Sequence, residues 1–241
     1  MNEEQTGYFT TPQTASASLV VKKFMSGVFL WMTLAMAITA LTAFWFAASP
    51  NLMGSLINAE TGGLSMLGWI VTLAPLGFVL LMSFGYQRLS PALLVLLFIG
   101  FSILMGMSLS FILLAYTESS VYKTFAITAG MFGIMAVTGY TTKTDLSRFG
   151  SIMMMGLVGI IIAMLVNFFL KSSTLEYIIS IIGVLVFTGL TAYDVQKLKK
   201  IGSAGADQVN TRKMSIMGAL TLYLDFINLF LFLLRFLGNR R

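Results

Sequence analysis

Long apolar runs separated by short polar stretches are the main feature of this sequence. Seven of them are close to the roughly 20 residues that a helix needs to cross the hydrocarbon layer of a membrane. They cover residues 24–47, 64–84, 92–116, 121–142, 150–170, 175–196 and 214–237. Most of the connections are short, so neighbouring spans are expected to pack antiparallel. The pattern predicts seven transmembrane helices.

Composition agrees with this pattern. Of the 241 residues, 57% are hydrophobic and only 10% are charged, which is far from the balance of a soluble domain. We therefore predict an all-α polytopic membrane protein in which residues 22–241 form one domain. Residues 1–21 are polar and rich in Ser and Thr, and we expect them to form a disordered cytosolic tail.

Charge is distributed unevenly between the two sides of the predicted bundle. With the N-terminus inside, the inner side carries Lys22, Lys23, Arg88, Lys143, Arg148, Lys197, Lys199, Lys200, Arg212 and Lys213. The outer loops carry Lys123 and Lys171, as the positive-inside rule expects. The net charge of +6 therefore indicates membrane topology and not nucleic-acid binding. Arg235, Arg240 and Arg241 break the rule, which leaves open a re-entrant last segment with the C-terminus inside.

The last span contains an acidic residue where a membrane helix rarely has one. Asp225 lies in its middle third, followed by Asn228, and a central Asp costs roughly 2.5–3.5 kcal/mol on insertion scales. Asp194 ends the preceding span, so antiparallel packing could bring the two carboxyl groups together near the inner side. In the alternative interpretation, each Asp braces a helix through Tyr193, Asn228 or the backbone.

A close pair of carboxyl groups has two chemical properties. Both groups cannot be charged cheaply in a medium of low dielectric constant, so they would share one proton and titrate in two separate steps. Carboxylates are also the hard oxygen ligands that Ca²⁺ prefers. Asp194 and Asp225 are therefore the candidate proton-sharing pair and the candidate Ca²⁺ ligands.

Other polar residues have candidate roles around this pair. Arg88 ends the second span on the inner side and could reach the pair as a latch, or it is a plain positive-inside anchor. Asn167, near the outer end of the fifth span, could line a path. Asp145 precedes the fifth helix and is predicted to cap it.

Small residues recur at helical spacing in the third span. Ser102, Gly106 and Ser110 are four residues apart, so they share one face of the helix. Such stripes allow two membrane helices to approach closely. We therefore predict a close helix–helix contact here, with a pore lined by small residues as the alternative.

Several kinds of enzyme are excluded by the residues that are missing. The chain has no Cys and no His, which removes thiolate or imidazole metal sites and His-dependent catalysis. An intramembrane aspartyl protease would use two Asp residues on two spans, and Tyr193-Asp194 fits its first motif. The second motif of that class needs Gly-x-Gly-Asp, but this chain has Leu222-Tyr223-Leu224-Asp225. We predict that the protein is not an enzyme and has no tightly bound cofactor.

Four strings of the sequence resemble those of the Bax inhibitor-1 family, also called the transmembrane Bax inhibitor motif family, in its bacterial branch. The strings are SFGYQRLSP (83–91), GYTTKTDLSRFGS (139–151), GLTAYDVQKLK (189–199) and LYLDFINLFLFLLRFLG (222–238). The resemblance covers almost all of residues 20–238. It implies a protein of the bacterial cytoplasmic (inner) membrane, with seven helices and the last helix central, surrounded by the other six.

The same resemblance implies a function. It implies a pH-sensitive Ca²⁺ leak, with a paired-aspartate sensor and ion gate at the positions matched by Asp194 and Asp225 and a latch arginine matched by Arg88. Protons, Ca²⁺ and membrane lipids are then the expected partners. One departure is that some relatives carry an acid within the second span, whereas LGWIVTLAPLGFVLLMSFGY (67–86) has none.

A second function stays open from the same resemblance. Some bacterial relatives are thought to bind and restrain a membrane-anchored protease. The tail 1–21 and the loop 197–213 are the surfaces that would serve such a regulatory membrane protein.

Overall fold

The computed structural model describes residues 12–58, 62–204 and 207–241, and these residues form eight helices. The helices are α1 (Pro12–Ala48), α2 (Pro50–Leu56), α3 (Met66–Gly85), α4 (Pro91–Ala115), α5 (Glu118–Thr141), α6 (Ser147–Leu170), α7 (Ser173–Ser203) and α8 (Gln208–Leu237). All of them except α2 are long and apolar enough to cross a membrane. The prediction of seven spans is therefore confirmed within the described part of the chain.

The boundaries differ from the prediction at three places. Helix α1 already begins at Pro12, so residues 12–21 are helical and not part of a disordered tail; residues 1–11 of that predicted tail lie outside the described residues. Helix α7 continues to Ser203 and helix α8 already begins at Gln208, because the polar residues of 197–213 continue both helices beyond the apolar runs. The short helix α2 lies in a predicted connection and starts at Pro50, where a proline is readily accepted.

The last helix is the most buried of the seven spans. Inside the bundle, 72% of the most apolar window of α8 is buried, compared with 6% for α6. Helix α8 packs against α1, α4, α5 and α7, whereas α3 packs mainly on α4 and α6 mainly on α7. Helix α8 thus packs closely on four of the other described helices, and its place at the centre of all six stays a prediction.

The chain order places the connections on two faces of the bundle. The connections α3–α4, α5–α6 and α7–α8 lie on one face, which carries the predicted inner cations and is called the basic face below. The connections α4–α5 and α6–α7 lie on the other face, called the opposite face. The sequence predicts that the basic face is cytoplasmic.

The C-terminus lies on the opposite face, so the re-entrant alternative for the last segment is wrong. Arg240 Nη2 pairs with Glu176 Oε1 at 2.8 Å, and Arg241 Nη2 with Glu118 Oε1 at 3.5 Å. The backbone of Arg240 also forms an isolated β-bridge with Tyr116 at the end of α4. Two of the three arginines that break the positive-inside rule are therefore paired with glutamates on that face.

The small-residue stripe on α4 is a packing surface, as predicted. A Cβ on Gly106 would lie 2.6 Å from Thr39 O and 2.7 Å from Thr42 Cβ, so only glycine allows α1 this close. The Thr39 hydroxyl donates to Ser102 O and is paired with Tyr223 OH, both at 2.8 Å. These buried hydrogen bonds join α1, α4 and α8 in the middle of the bundle.

Candidate functional site

Helices α7 and α8 bring Asp194 and Asp225 into contact. Their carboxyl groups are close enough for one to donate a hydrogen bond to the other. Asp225 is 5% exposed, and its Oδ2 is buried without a hydrogen-bond donor among the described residues. Asp194 is partly buried. A proton shared between the two groups would supply the missing donor.

Glycines on both sides of the pair determine how closely α7 and α8 approach. On α7, a Cβ at Gly183 would lie 2.5 Å from Cγ of Phe232 on α8. On α8, a Cβ at Gly218 would lie 2.7 Å from Cδ2 of Leu198 on α7. Because the helices are antiparallel, these two contacts bracket the carboxyl pair. A close backbone approach therefore positions the two acids.

The carboxyl pair lies in a cleft of about 570 Å³ formed by α6, α7 and α8. Its polar lining residues are Tyr193, Asp194, Lys197, Thr221, Asp225 and Asn228. The rest of the lining is apolar and includes Met154, Leu157 and Ile161 of α6. A mostly apolar cleft with a few convergent polar groups is the usual form of a binding site.

Tyr193 and Asn228 line the cleft, as their sequence positions suggested, but neither braces an aspartate. The Asn228 amide donates to Leu224 O at 2.8 Å. The Tyr193 ring packs against Gly150 of α6, where a Cβ would clash with it, and lies 5.9 Å from Lys197 Nζ. Within the described chain, no hydrogen bond joins either side chain to the carboxyl pair. The bracing interpretation is therefore not supported.

Asn167 does not line the cleft. Its Oδ1 accepts from Ser172 N at 3.0 Å, and its carbonyl accepts from Lys171 N at 2.8 Å. Lys171 adopts a left-handed backbone conformation with φ 51°. Asn167 therefore closes the α6–α7 turn on the opposite face, which is a structural role.

The predicted latch residue does not line the cleft of the pair in this structure. Arg88 is exposed in the turn between α3 and α4, and it is not among the residues that line the cleft. That turn contacts the start of α8 instead, where Lys213 Nζ donates to Tyr86 O at 3.1 Å and lies 5.5 Å from the Tyr86 ring. The cleft lies on the side of α8 that faces α6 and α7. The basic residue that links this turn to α8 is thus Lys213.

Two polar residues of the cleft were missed from the sequence. Lys197 follows Asp194 by three residues and lies close enough to interact electrostatically with the Asp194 carboxyl group. Thr221 precedes Asp225 by four residues and lines the same cleft. Residues three or four apart share a helix face, so this spacing would have found both.

The loop between α5 and α6 is attached to the end of α7 that follows Asp194. Gln196 donates to Thr144 O and accepts from Leu146 N, both at 2.8 Å. Lys199 Nζ donates to Tyr140 O at 2.7 Å. Because these residues follow Asp194 within two turns, the loop fixes the α7 segment that carries the acid.

Asp145 lies in the same loop and bonds at the start of α6, close to its predicted capping role. Its Oδ1 accepts from Ser147 N at 3.1 Å and from Ser147 Oγ at 2.8 Å. Lys200 Nζ contacts the same oxygen at 2.6 Å. The hydrogen bond from Lys200, followed by those from Ser147, lowers the pKa of the Asp145 carboxyl to about 2. Asp145 is therefore ionised at neutral pH.

The fold and the site define an integral membrane protein with seven spans and two acidic side chains in contact within the bundle. The family model for inhibitors of apoptosis-promoting Bax1 matches residues 21–241. The chain belongs to this family, the Bax inhibitor-1 family.

Relatives from several bacteria are similar over nearly the whole chain. The "Inner membrane protein YbhL" of Escherichia coli K12 is 48% identical over 92% of this chain and 93% of its own length. An uncharacterized protein of Borreliella burgdorferi is 46% identical over 92% of this chain and 94% of its own length. The uncharacterized protein RP147 of Rickettsia prowazekii is 43% identical over 96% of both chains. With its seven apolar helices, this chain is an integral protein of the bacterial inner membrane.

The surfaces expected for a protease partner are only partly described. Residues 1–11 of the tail and residues 205–206 of the 197–213 loop lie outside the described residues. Within the described part of that loop, Lys199 and Lys200 on its α7 side bond within the same chain. Binding of a membrane-anchored protease stays a prediction.

Proposed function

We propose that this protein is a pH-sensitive Ca²⁺ leak gated by the Asp194–Asp225 pair. The observation that carries the proposal is the contact between the two carboxyl groups, inside a cleft of about 570 Å³ that α6, α7 and α8 form. The pair holds and releases a proton, and it forms no covalent intermediate. The proposal therefore concerns ion passage and involves no catalysis.

The proton decides whether the contact between α7 and α8 is favourable. With one proton present, one carboxyl group donates to the other and the two helices are held together. Without it, two negative charges about 4 Å apart repel by ~4 kcal/mol at an effective dielectric constant of 20. This repulsion would shift the equilibrium towards a conformation in which the carboxyl groups separate. Rising pH should therefore favour opening.

Loss of the proton would also improve the site for a divalent cation. Two ionised carboxylates offer hard oxygen ligands, and Asn228 lies in the same cleft. A tight Ca²⁺ site needs six to eight oxygens, and the described residues contain no group of three or more His, Cys, Asp or Glu side chains that could hold a metal ion. Such a small ligand set suits a permeating ion better than a tightly bound one.

Flux from vesicles tests the proposal. Purified protein is reconstituted into liposomes loaded with a Ca²⁺ indicator, and Ca²⁺ entry is recorded between pH 5 and pH 8. We expect the protein-dependent flux to rise with pH, by about tenfold, since that change needs only ~1.4 kcal/mol of shift between the two conformations. Flux equal to that of protein-free vesicles at every pH would contradict the proposal.

A further inference from the structure

A second cavity, of about 400 Å³, lies on the other side of α8 from the carboxyl pair. Helices α1 and α5 form its two sides, and α4 and α8 form its floor. Its lining is almost entirely apolar and includes Ala40, Phe44, Leu113, Phe125 and Phe230. The volume falls within the roughly 300–1,000 Å³ of known ligand pockets.

The cavity exists because of the small residues on α1. Helix α1 packs on α4 and α8, and α5 packs on α7 and α8, so α1 and α5 face each other across a gap. On α1 this gap is lined mainly by alanine, at Ala40, Ala43, Ala47 and Ala48. An alanine side chain is too short to fill the space between the helices.

The cavity spans one leaflet of the membrane. On α1 it extends from Met36 to Ala48, which is about 18 Å along a helix that rises 1.5 Å per residue. Half of a hydrocarbon layer of about 30 Å is about 15 Å. Ala48 and Glu118 are helix ends on the opposite face, so the cavity runs from headgroup level to the middle of the bilayer.

A cation lies at the outer rim of the cavity. Arg241 is one of the lining residues, together with Glu118. Their ion pair measures 3.5 Å, and both side chains are about half exposed or more. An exposed pair of this kind is weak. Because the pair is weak and uses only Nη2 of Arg241, the guanidinium group has further N–H donors with which it can bind a phosphate through two parallel hydrogen bonds.

We propose that this cavity binds one phospholipid of the leaflet at the opposite face. One acyl chain fills the gap between α1 and α5, and the phosphate lies against Arg241. Apolar lining, leaflet depth and a cation at headgroup level each match a different part of this ligand. The acyl chain would contact Phe226 and Phe230 of α8, whereas Asp225 faces the separate cleft on the other side of the same helix.

Native mass spectrometry of the purified protein with added phosphatidylglycerol tests the proposal. We expect one retained lipid per wild-type protein. Ala40→Phe fills the gap with an apolar ring, and Arg241→Gln removes the cation; each should weaken retention by about tenfold. The matched controls are Ala37→Phe on α1 and Lys123→Gln on the opposite face, neither of which lines the cavity. Both should retain the lipid as wild type does.

Two results would overturn the proposal. Equal lipid retention by Ala40→Phe and Ala37→Phe would show that the lipid binds elsewhere. Loss of the lipid from Ala40→Phe, together with full lipid retention by Arg241→Gln, would show that Arg241 does not bind the phosphate. It would contradict the assignment of a phospholipid. Ala40 is exposed in the gap and the Arg241 side chain is about half exposed, so both variants are expected to fold. The readout does not involve Ca²⁺ flux, so it is independent of the proposed leak.

Discussion

Replacing Asp225 by Asn is expected to make the Ca²⁺ flux low and independent of pH. Asn has the shape of a protonated Asp and can donate a hydrogen bond to Asp194, so the variant mimics the pair with its proton in place. Flux at pH 8 should fall about tenfold, to the value of the wild type at pH 5. Asp194→Asn should behave in the same way, because the contact is reciprocal.

Asp145→Asn is the matched control for these two variants. Asp145 is an acidic residue near the basic face, but it lies outside the cleft and is exposed. Its pKa is lowered to about 2 by its contacts with Lys200 and Ser147, so its contact is complete above about pH 4 and is lost only as the pH falls through about 2. Its replacement should therefore leave the flux response between pH 5 and pH 8 unchanged. A response that survives in Asp225→Asn and disappears in Asp145→Asn would overturn the gate assignment.

Replacing Gly139 by Ala is expected to give the largest loss of stability for a single added methyl group. A Cβ at Gly139 would clash with Ala192 O and lie 2.9 Å from Ala192 C and Cα. Backbone atoms cannot move aside as a flexible side chain can, so α5 and α7 must separate. Overpacking of this kind costs about 1–3 kcal/mol, which should lower the melting temperature by roughly 2–10 °C.

Gly133→Ala on the same helix is the control for this prediction. Nothing lies within 4 Å of a Cβ built on Gly133, so its melting temperature should be unchanged or slightly raised, since Ala favours the helix over Gly. Equal destabilisation by both substitutions would mean that the α5–α7 contact is not the cause. Because Ala192 precedes Asp194 by two residues, Gly139→Ala should also disturb the flux.

The spans and the acidic pair could be predicted because both follow from the cost of placing groups in lipid. Apolar runs of membrane length have few alternatives to a helix. An unpaired Asp225 in mid-span would be costly in lipid, and Asp194, at the end of the neighbouring antiparallel helix, was the nearest candidate partner. The spacing of the small residues Ser102, Gly106 and Ser110 likewise predicted a close helix contact.

The position of Arg88 relative to the carboxyl pair could not be predicted from the sequence. Arg88 lies in a turn on the basic face, and its distance along the chain does not show which side of α8 that turn approaches. This side depends on how each helix is rotated about its axis, which packing determines. Lys197 and Thr221 share a helix turn with the acids, and attention to that spacing would have included them.

The two cavities also could not be predicted. The cavity near Arg241 lies between α1 and α5, which are not consecutive in the chain, and the cleft around the carboxyl pair depends on how α6 packs against α7 and α8. Alanine is common in membrane helices, and only the tertiary arrangement shows that the alanines of α1 face a gap. The start of α1 at Pro12 could not be predicted either, because residues 12–18 contain no large apolar residue and precede the apolar run.

Infrared difference spectroscopy measures the shared proton directly. A protonated carboxyl group has a carbonyl band that an ionised carboxylate lacks, so a pH titration of the reconstituted protein reports on the pair. The account predicts a carboxylic-acid band that changes with pH in parallel with the Ca²⁺ flux and is absent from both Asp194→Asn and Asp225→Asn. A band that persists unchanged in both variants, or a wild type without any such band between pH 5 and pH 8, would contradict it.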